Sequence, residues 1–382
     1  MKKDSNKQHL MISITIILFL IITISSTGIF LFHARPYESS IDPSEAENIP
    51  PSLVLSTIIL GGFRGVLTDI LWLRLSVLQD KGKYLELLQL ADWITILQPR
   101  NIEIWQFHAW NLAYNISVMI PDAAERWRWV RSGIELLQNH GLLYNPESAG
   151  ICHSIGWMYQ HKIGTPMDAC HLYYKKLLAS DMSKITDQDG HINYLILTNQ
   201  IAKGNNEFIQ IIERYNLKPH IMKKMEEEFH ALDWRLPETH AIYWAWRGLI
   251  TAKDNDLITC HRMILQCLSE IFRSGKLIFD ADANKYERKP DIDRINIALK
   301  QYEKIIQKYP LEGMFAGKRT LLTDASRIFY NAKRNQEAIQ FFNQFNSMLP
   351  EKLRFTNFEH FISSPPGTYF VEPPGYNSEN EN

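Results

Sequence analysis

The sequence predicts an all-α protein in which one N-terminal transmembrane helix precedes an α-solenoid of helical hairpins. Three observations support this fold class. An apolar run without a charged side chain occupies residues 10–32. Downstream, apolar residues recur three and four positions apart, as on one face of a helix, and the alternation typical of strands is scarce. These helical signals come in pairs with a period of roughly 34 residues, which is typical of stacked hairpins.

Composition excludes several classes of function. The chain has 382 residues and a formal net charge of −1, so it lacks the basic excess that a nucleic-acid-binding surface needs, and we predict no nucleic-acid partner. Its four cysteines form no CxxC pair and are too few for a disulfide scaffold. The sequence has no phosphate-binding loop, GxSxG, HExxH or dinucleotide motif, and we predict no cofactor.

The apolar run 10–32 is long enough to cross a bilayer, because a helix of that length rises roughly 34 Å against a hydrocarbon core of about 30 Å. Three lysines precede it, whereas the charged residues that follow are mostly acidic. The positive-inside rule therefore predicts a single-pass protein of the inner (cytoplasmic) membrane, with residues 1–9 in the cytoplasm and the helical domain on the periplasmic, extracytoplasmic side. The alternative is a cleaved signal peptide, for which Ala34 offers a poor cleavage site.

Three further segments follow the predicted anchor. Residues 33–52 are rich in proline and serine and read as a linker. The repeat domain is predicted at 53–362. Residues 363–382 contain four prolines with few apolar residues, so we predict a disordered tail.

The start of the repeat domain, 53–75, allows two interpretations. It is apolar and long enough to span a membrane, but three charges would then lie near the bilayer centre, which is costly: Arg64, Asp69 and Arg74. We therefore predict an amphipathic piece at 53–60 and the first soluble helix at 63–79. A second membrane segment is the alternative, and it would return the domain to the cytoplasm.

The clearest repeat lies at 319–352. One helix face, a short turn and a second helix face follow one another, and Pro350 ends the second helix. The residues that mark the two faces are Leu322, Ala325, Ser326 and Phe329, then Ala338, Phe342 and Phe345. Because small residues stand where two helices must approach closely, this segment resembles a tetratricopeptide repeat (TPR).

The resemblance extends, less completely, over most of 63–350, apart from 180–235 and 274–290, which do not fit. Stretches such as 60–65 and 108–115 are similar to uncharacterised bacterial membrane-anchored repeat proteins. The TPR resemblance implies a right-handed superhelix whose concave face binds a protein or peptide partner.

A stripe of polar residues is the candidate partner-binding site. His108, Asn111 and Asn115 follow Trp105 at three- and four-residue spacings, so they lie on one side of a helix. Trp105 is expected in the core. Asn amides can bind an extended peptide through its backbone, whereas the alternative is that these groups bond to the adjacent loop 140–150.

Two neighbouring helices are expected to carry cysteine and histidine side chains of the type that bind zinc: Cys152, His153, His161, Cys170 and His171. His153, His161 and His171 are the candidate metal ligands. Their spacing fits no zinc pattern, and Cys152 stands at a core position, where a thiol behaves as a small hydrophobe. Cys260 and Cys267, seven residues apart, are likewise expected to be buried thiols.

Two other motifs have structural and functional interpretations. The run 126–131 alternates arginine with tryptophan, which suits contacts to lipid headgroups or to an acidic peptide. The alternative is a helix with the tryptophan in the core and the arginines on its solvated face. Residues 187–190 resemble part of a calcium loop, but they lack its later acidic residues and read as a turn.

The sequence thus predicts a scaffold that is tethered to the membrane, through 10–32, and recruits or organises a protein partner there. No catalytic residue is identified. One alternative is a metal-assisted hydrolytic enzyme with its site near His153, His161 and His171. Another is an accessory subunit of a transport or secretion assembly.

Overall fold

A computed structural model of the chain describes residues 63–252, 257–280 and 285–365. No helix in these ranges is both long and apolar enough to cross a membrane. The predicted anchor at 10–32 and the linker at 33–52 lie outside the described residues, as do 53–62 and the tail from 366.

The described residues are helical almost throughout, which confirms the predicted all-α class. The chain divides into two compact units, one ending at His108 and the other beginning at Ala109. Helix α3 begins in the first unit and ends in the second.

The first unit contains α1 (Phe63–Asp80), α2 (Tyr84–Leu97) and the start of α3 (Ile102–Trp110). The turn between α1 and α2 contains Gly82 at φ +65°, a conformation that side chains with a Cβ rarely adopt. The two helices pack through apolar residues spaced three and four apart, including Leu75 and Leu87. Trp105 is buried, as predicted, and its indole donates a hydrogen bond of 2.8 Å to the Pro99 carbonyl.

The second unit holds the remaining elements. Its longer helices are α4 (Ala123–Leu136), α5 (Ala149–Trp157), α6 (His171–Met182), α7 (Tyr194–Ala202), α8 (Asn206–Arg214), α9 (Pro219–Phe229), α10 (Pro237–Thr251), α11 (Ile258–Ser274), α12 (Ile295–Lys308), α13 (Glu312–Asn331), α14 (Asn335–Ser347) and α15 (Phe358–Ser363). Three-residue helical turns occur at Ser117–Met119, Leu142–Tyr144, Ile292–Arg294 and Glu351–Leu353. A short antiparallel hairpin, β1 (Lys276–Asp280) and β2 (Lys285–Lys289), follows α11.

Three successive helices continue into a π-helical segment. These segments are Asn111–Ile116 after α3, Leu137–Gly141 after α4 and Met158–Ile163 after α5. A π-helical turn widens the helix by one residue and shifts the direction of every later side chain, and such turns are frequent at functional sites. Two of the three segments form the site described below.

Helix α10 lies at the centre of the second unit. Nearly every residue from Pro237 to Ala245 is buried, and the helix packs against α5 on one side and α11 on another. A methyl group on Gly248 would come within 3.1 Å of the Cys152 Cβ and 3.3 Å of the Cys260 Sγ, so glycine lets the three helices approach. Both predictions of buried thiols at Cys260 and Cys267 are confirmed.

The C-terminal pair of helices follows the prediction closely. Helices α13 and α14 meet through Ala325 and Ala338, and the Ser326 hydroxyl donates a 2.8 Å hydrogen bond to the Ala338 carbonyl. Lys333, at φ +63°, forms the turn between them. Phe342 is buried against the aromatic rings of α15 and of the chain leading to it.

The two segments that did not fit the repeat pattern depart from helical hairpins in different ways. Within 180–235, three short helices, α7 to α9, pass from α6 to the central helix. Within 274–290, the chain forms the β1–β2 hairpin, which the scarcity of strand-type alternation did not predict. Arg288 on β2 donates a 2.9 Å hydrogen bond to the Glu238 carboxylate at the start of α10 and so attaches the hairpin to the core.

Candidate partner-binding surface

A row of five aromatic rings crosses the ends of α3 and α5, and we name it the aromatic ladder: Trp110, Tyr114, His161, Trp157 and His153. Trp110 and Tyr114 stack at 3.9 Å between centroids, and Trp157 stacks on His161 at 4.8 Å. The Tyr114 hydroxyl lies 3.3 Å from the His161 Nδ1 and so joins the two helices. His153 closes the row beside Trp157, at 6.5 Å.

Sequence spacing explains how each helix builds its part of the ladder. The rings on each helix stand four residues apart, a spacing that places side chains one above another. Trp110 is 43% exposed, and the other four rings are half-buried. The ladder therefore presents ring edges and faces to solvent while its inner side packs on the protein.

The surroundings of the two histidines in the ladder disfavour the charged form of the imidazole. Burial lowers the pKa of His153 below its usual value. Burial also lowers the pKa of His161, with a further contribution from the positive charge of Lys162. Both rings are therefore neutral at pH 7, which favours their stacking on Trp157 over solvation as cations.

Beneath the ladder lies a buried ion-pair cluster, the Asp168 clamp, made of Asp168, Lys162, Arg126 and Tyr174. The Lys162 Nζ lies 2.6 Å from one Asp168 oxygen, and both side chains are almost fully buried. The second oxygen accepts a 2.8 Å hydrogen bond from the Cys170 N–H and one of 3.3 Å from the Tyr174 hydroxyl. Arg126 lies 3.5 Å from the same oxygen.

The charges of the clamp determine its protonation. Burial alone would raise the pKa of Asp168, but the hydrogen bonds from Lys162 and from the Cys170 backbone outweigh this effect and lower it. Burial lowers the pKa of Lys162, and its contact with Asp168 partly offsets that shift. Lys162 and Asp168 thus form a charged pair inside the protein. The Lys162 Nζ also lies 5.0 Å from the centre of the Tyr114 ring.

The clamp connects two stretches of the chain that carry exposed apolar side chains. Arg126 donates hydrogen bonds to the carbonyls of Ser117 and Val118, in the short helical turn Ser117–Met119. It also contacts Asp168, in the loop that leads to α6. Near these anchor points, four apolar side chains are between 53% and 75% exposed, and we name them the apolar rim: Val118, Met119, Met167 and Leu172.

The predicted metal ligands are not brought together. His153 and His161 belong to the aromatic ladder, and His171 begins α6, where burial lowers its pKa. Across the described ranges, no three His, Cys, Asp or Glu side chains are placed to hold a metal ion. Cys152 lies in the core, where burial raises the pKa of its thiol to about 12.

The predicted polar stripe is largely buried. In the first unit, His108 is 4% exposed and its Nδ1 lies 3.6 Å from an Asp92 carboxylate oxygen. In the second unit, Asn111 is fully buried, and its side-chain oxygen accepts a 2.7 Å hydrogen bond from the half-buried Asn115 amide. A partner would reach Asn115 but would find Asn111 covered, so the stripe stays a prediction that this arrangement does not favour.

Arg126 does not lie on the solvated face of its helix, where one interpretation of the run 126–131 predicts it. The structural interpretation put it on the solvated face of α4, whereas its side chain is only 12% exposed and is part of the clamp. Nothing local in the sequence predicts this, because its carboxylate partner is 42 residues away, at Asp168.

A polar cavity of about 340 Å³ also lies in the second unit, beside the turn at 187–190. The turn is confirmed: the Asp187 carboxylate accepts hydrogen bonds from two backbone N–H groups, and Gly190 has φ +80°. Two of the acidic groups that line the cavity are paired within it, Asp233 with Arg235 and Asp291 with Arg294. These two ion pairs neutralise part of the charge of the cavity, whose lining also includes Asp189, Asp293 and Lys276. We take the aromatic ladder as the candidate binding surface because its rings reach solvent.

Comparison with known proteins finds no match: no protein-family model, no curated protein and no solved structure corresponds to the chain. The resemblance to TPR proteins therefore stays a prediction from the residues quoted above. Function is inferred below from the aromatic ladder, the Asp168 clamp and the apolar rim.

Proposed function

We propose that the chain is a membrane-tethered scaffold that binds a protein or peptide partner on the aromatic ladder and apolar rim of its second unit. Residues 10–32 supply the tether, and the positive-inside rule places the helical units on the extracytoplasmic side. The proposal retains the recruitment role predicted from the sequence and moves the binding surface from the polar stripe to the ladder.

The observation that carries the proposal is the exposed apolar rim on a rigid base. Methionine and leucine side chains that are more than half exposed lose contact with water when a partner covers them, which favours association. Methionine adapts its shape to different apolar partners, and tryptophan and tyrosine are enriched in the centres of interfaces. The Asp168 clamp holds the backbone beside the rim residues, so little backbone freedom is lost on binding.

The partner that fits this surface is a polypeptide with apolar side chains. The ladder offers ring faces and the rim offers flexible apolar side chains, so a partner should contribute aliphatic or aromatic anchors.

Photocrosslinking in the native membrane tests the proposal. The full chain would carry benzoylphenylalanine at Met167 in the rim or, as the control, at Leu195 on α7, which is 71% exposed and outside the surface. We expect a specific crosslinked protein from position 167 and none from 195. We expect Trp110→Ala to reduce the crosslinked product at least about tenfold, because truncating an aromatic anchor of an interface commonly costs ~2 kcal/mol.

Two results would overturn the proposal. Equal products from positions 167 and 195 would show that capture is non-specific. A product from position 167 that Trp110→Ala leaves unchanged, in a variant with the normal melting temperature, would show that the ladder takes no part.

A further inference from the structure

Helix α1 has apolar residues on two opposite faces. One face, which includes Leu71, Leu75 and Leu78, is buried within the first unit. The opposite face carries four apolar side chains that are between 48% and 71% exposed, and we name it the α1 seam: Val66, Ile70, Leu73 and Val77. A helix that is apolar on both faces needs a second partner.

The α1 seam is narrow. Its residues follow one another at spacings of four, three and four, so at about 100° per residue they cover an arc of only ~60°. A helix that lies in a membrane surface needs a broad apolar arc, whereas a strip of this width is typical of the contact between two helices of a coiled coil. The exposed Asp69 and Arg74 border the seam on its two sides.

We propose that the α1 seam is a dimer interface, in which α1 pairs in parallel with α1 of a second copy of this chain. In heptad terms, Ile70 and Val77 occupy a positions, and Val66 and Leu73 occupy d positions. β-branched residues stand at both a positions and leucine at one of the two d positions, a combination that favours two-stranded parallel pairing.

Charge complementarity selects the parallel orientation. Asp69 is then at a g position and Arg74 at the following e position, five residues later. In a parallel pair, the g residue of one helix lies beside that e residue of the other, so two Asp69–Arg74 ion pairs form by symmetry. In an antiparallel pair, g positions face g positions and e positions face e positions, so Asp69 of one copy and Arg74 of the other would lie on different sides of the seam and form no ion pair.

The tether proposed above favours the same orientation. In two copies anchored by residues 10–32 in one membrane, each chain would lead from the membrane to the N-terminus of α1. The two N-termini would then lie at the same end of the pair, as parallel pairing requires. A seam of about two heptads is too short to pair strongly in dilute solution. Confinement in a membrane raises the effective concentration of the second helix and so compensates for the short contact. The dimer goes beyond the scaffold proposal, because it uses the first unit and leaves the aromatic ladder free.

Cysteine crosslinking of the full chain in lipid vesicles tests the pairing. Copper phenanthroline would oxidise two thiols to one disulfide in Leu73→Cys or, as the control, in Leu85→Cys on α2, which is 68% exposed and outside the seam. The half-buried Cys170 is present in both variants, so its background is matched. We expect Leu73→Cys to form covalent dimers at least about tenfold faster, because a d position brings two Cα atoms within about 7 Å.

Charge reversal provides a second test with the side chains of the seam intact. Asp69→Arg alone and Arg74→Asp alone should each lower the dimer fraction, by roughly threefold or more, because each places like charges together. The double variant should restore dimerisation. The proposal fails if Leu73→Cys and Leu85→Cys crosslink at the same rate, or if the double variant stays monomeric. Photocrosslinking from Met167 in the native membrane, repeated with the same charge variants, reports separately on the scaffold function.

Discussion

Lys162 and Asp168 form a buried ion pair, and Arg126 lies close to the same carboxylate. Both side chains are at most 3% exposed, so removing one charge leaves the other in the interior without a counter-charge. We expect Asp168→Asn to lower the free energy of unfolding by about 3–5 kcal/mol, because the Lys162 ammonium would remain buried and unpaired. Thermal denaturation of the full chain would measure the loss.

A surface ion pair provides the matched control. Lys184 and Glu207 form a 3.3 Å pair with both side chains about half exposed, so Glu207→Gln should cost about 1 kcal/mol or less. The double variant Lys162→Met with Asp168→Leu should recover much of the stability that Asp168→Asn loses. Equal effects of Asp168→Asn and Glu207→Gln would show that the clamp is not a buried pair in solution.

At the scale of elements, the α13–α14 pair is held at its end by aromatic packing on α15. Phe342 is 4% exposed and contacts the rings of Phe355, Phe358 and Phe361. We expect Phe342→Ala to cost roughly 3–5 kcal/mol and to loosen this region before the rest of the unit, because stacked helices are stabilised mainly by their nearest neighbours. Hydrogen exchange of 319–350 would show the faster opening.

Ile339, on the same helix, is the control for this element. It is 41% exposed, so Ile339→Ala should change hydrogen exchange much less. Uniformly faster exchange across the whole second unit in Phe342→Ala would contradict a local effect.

For the molecule as a whole, stability should fall on mild acidification. Helix α10 buries His240, whose Nε2 donates to the Trp234 carbonyl, 3.0 Å away, and whose Nδ1 has no hydrogen-bond partner among the described residues. Burial lowers the pKa of His240 from 6.5 to about 4. Between these values the unfolded chain binds a proton that the folded chain does not, so the free energy of unfolding falls as pH drops from about 6.5 to 4.

Removing the imidazole of His240 tests its share of this pH dependence. A pKa difference of this size corresponds to a loss of about 3 kcal/mol by pH 4. We expect denaturant titrations of His240→Gln to show a flatter dependence on pH than those of the parent. His261→Gln should flatten the dependence in the same direction, since burial also lowers the pKa of that half-buried histidine to about 4. Identical slopes for the parent and His240→Gln would exclude this role.

The sequence predicted the elements better than it predicted the site. Apolar spacing alone located the helices of 319–352, the buried thiols and the core position of Trp105, because these depend on the local period of one helix. The aromatic ladder joins α3 to α5, and two of its rings lie in π-helical segments. Residue spacing does not predict such segments. The Arg126–Asp168 contact likewise depends on tertiary packing, so neither was visible in a single sequence.

The burial of α10 has a consequence during synthesis on the ribosome. Its apolar surface is covered by α5, which has already been made, and by α11, which ends only at Ser274. At a translation rate of about 5–20 residues per second, the helix waits at least ~1–5 s after its last residue before α11 is complete. Throughout that interval the apolar residues of this helix, such as Ile242 and Trp244, are partly uncovered, which makes this segment the natural binding site for a nascent-chain chaperone.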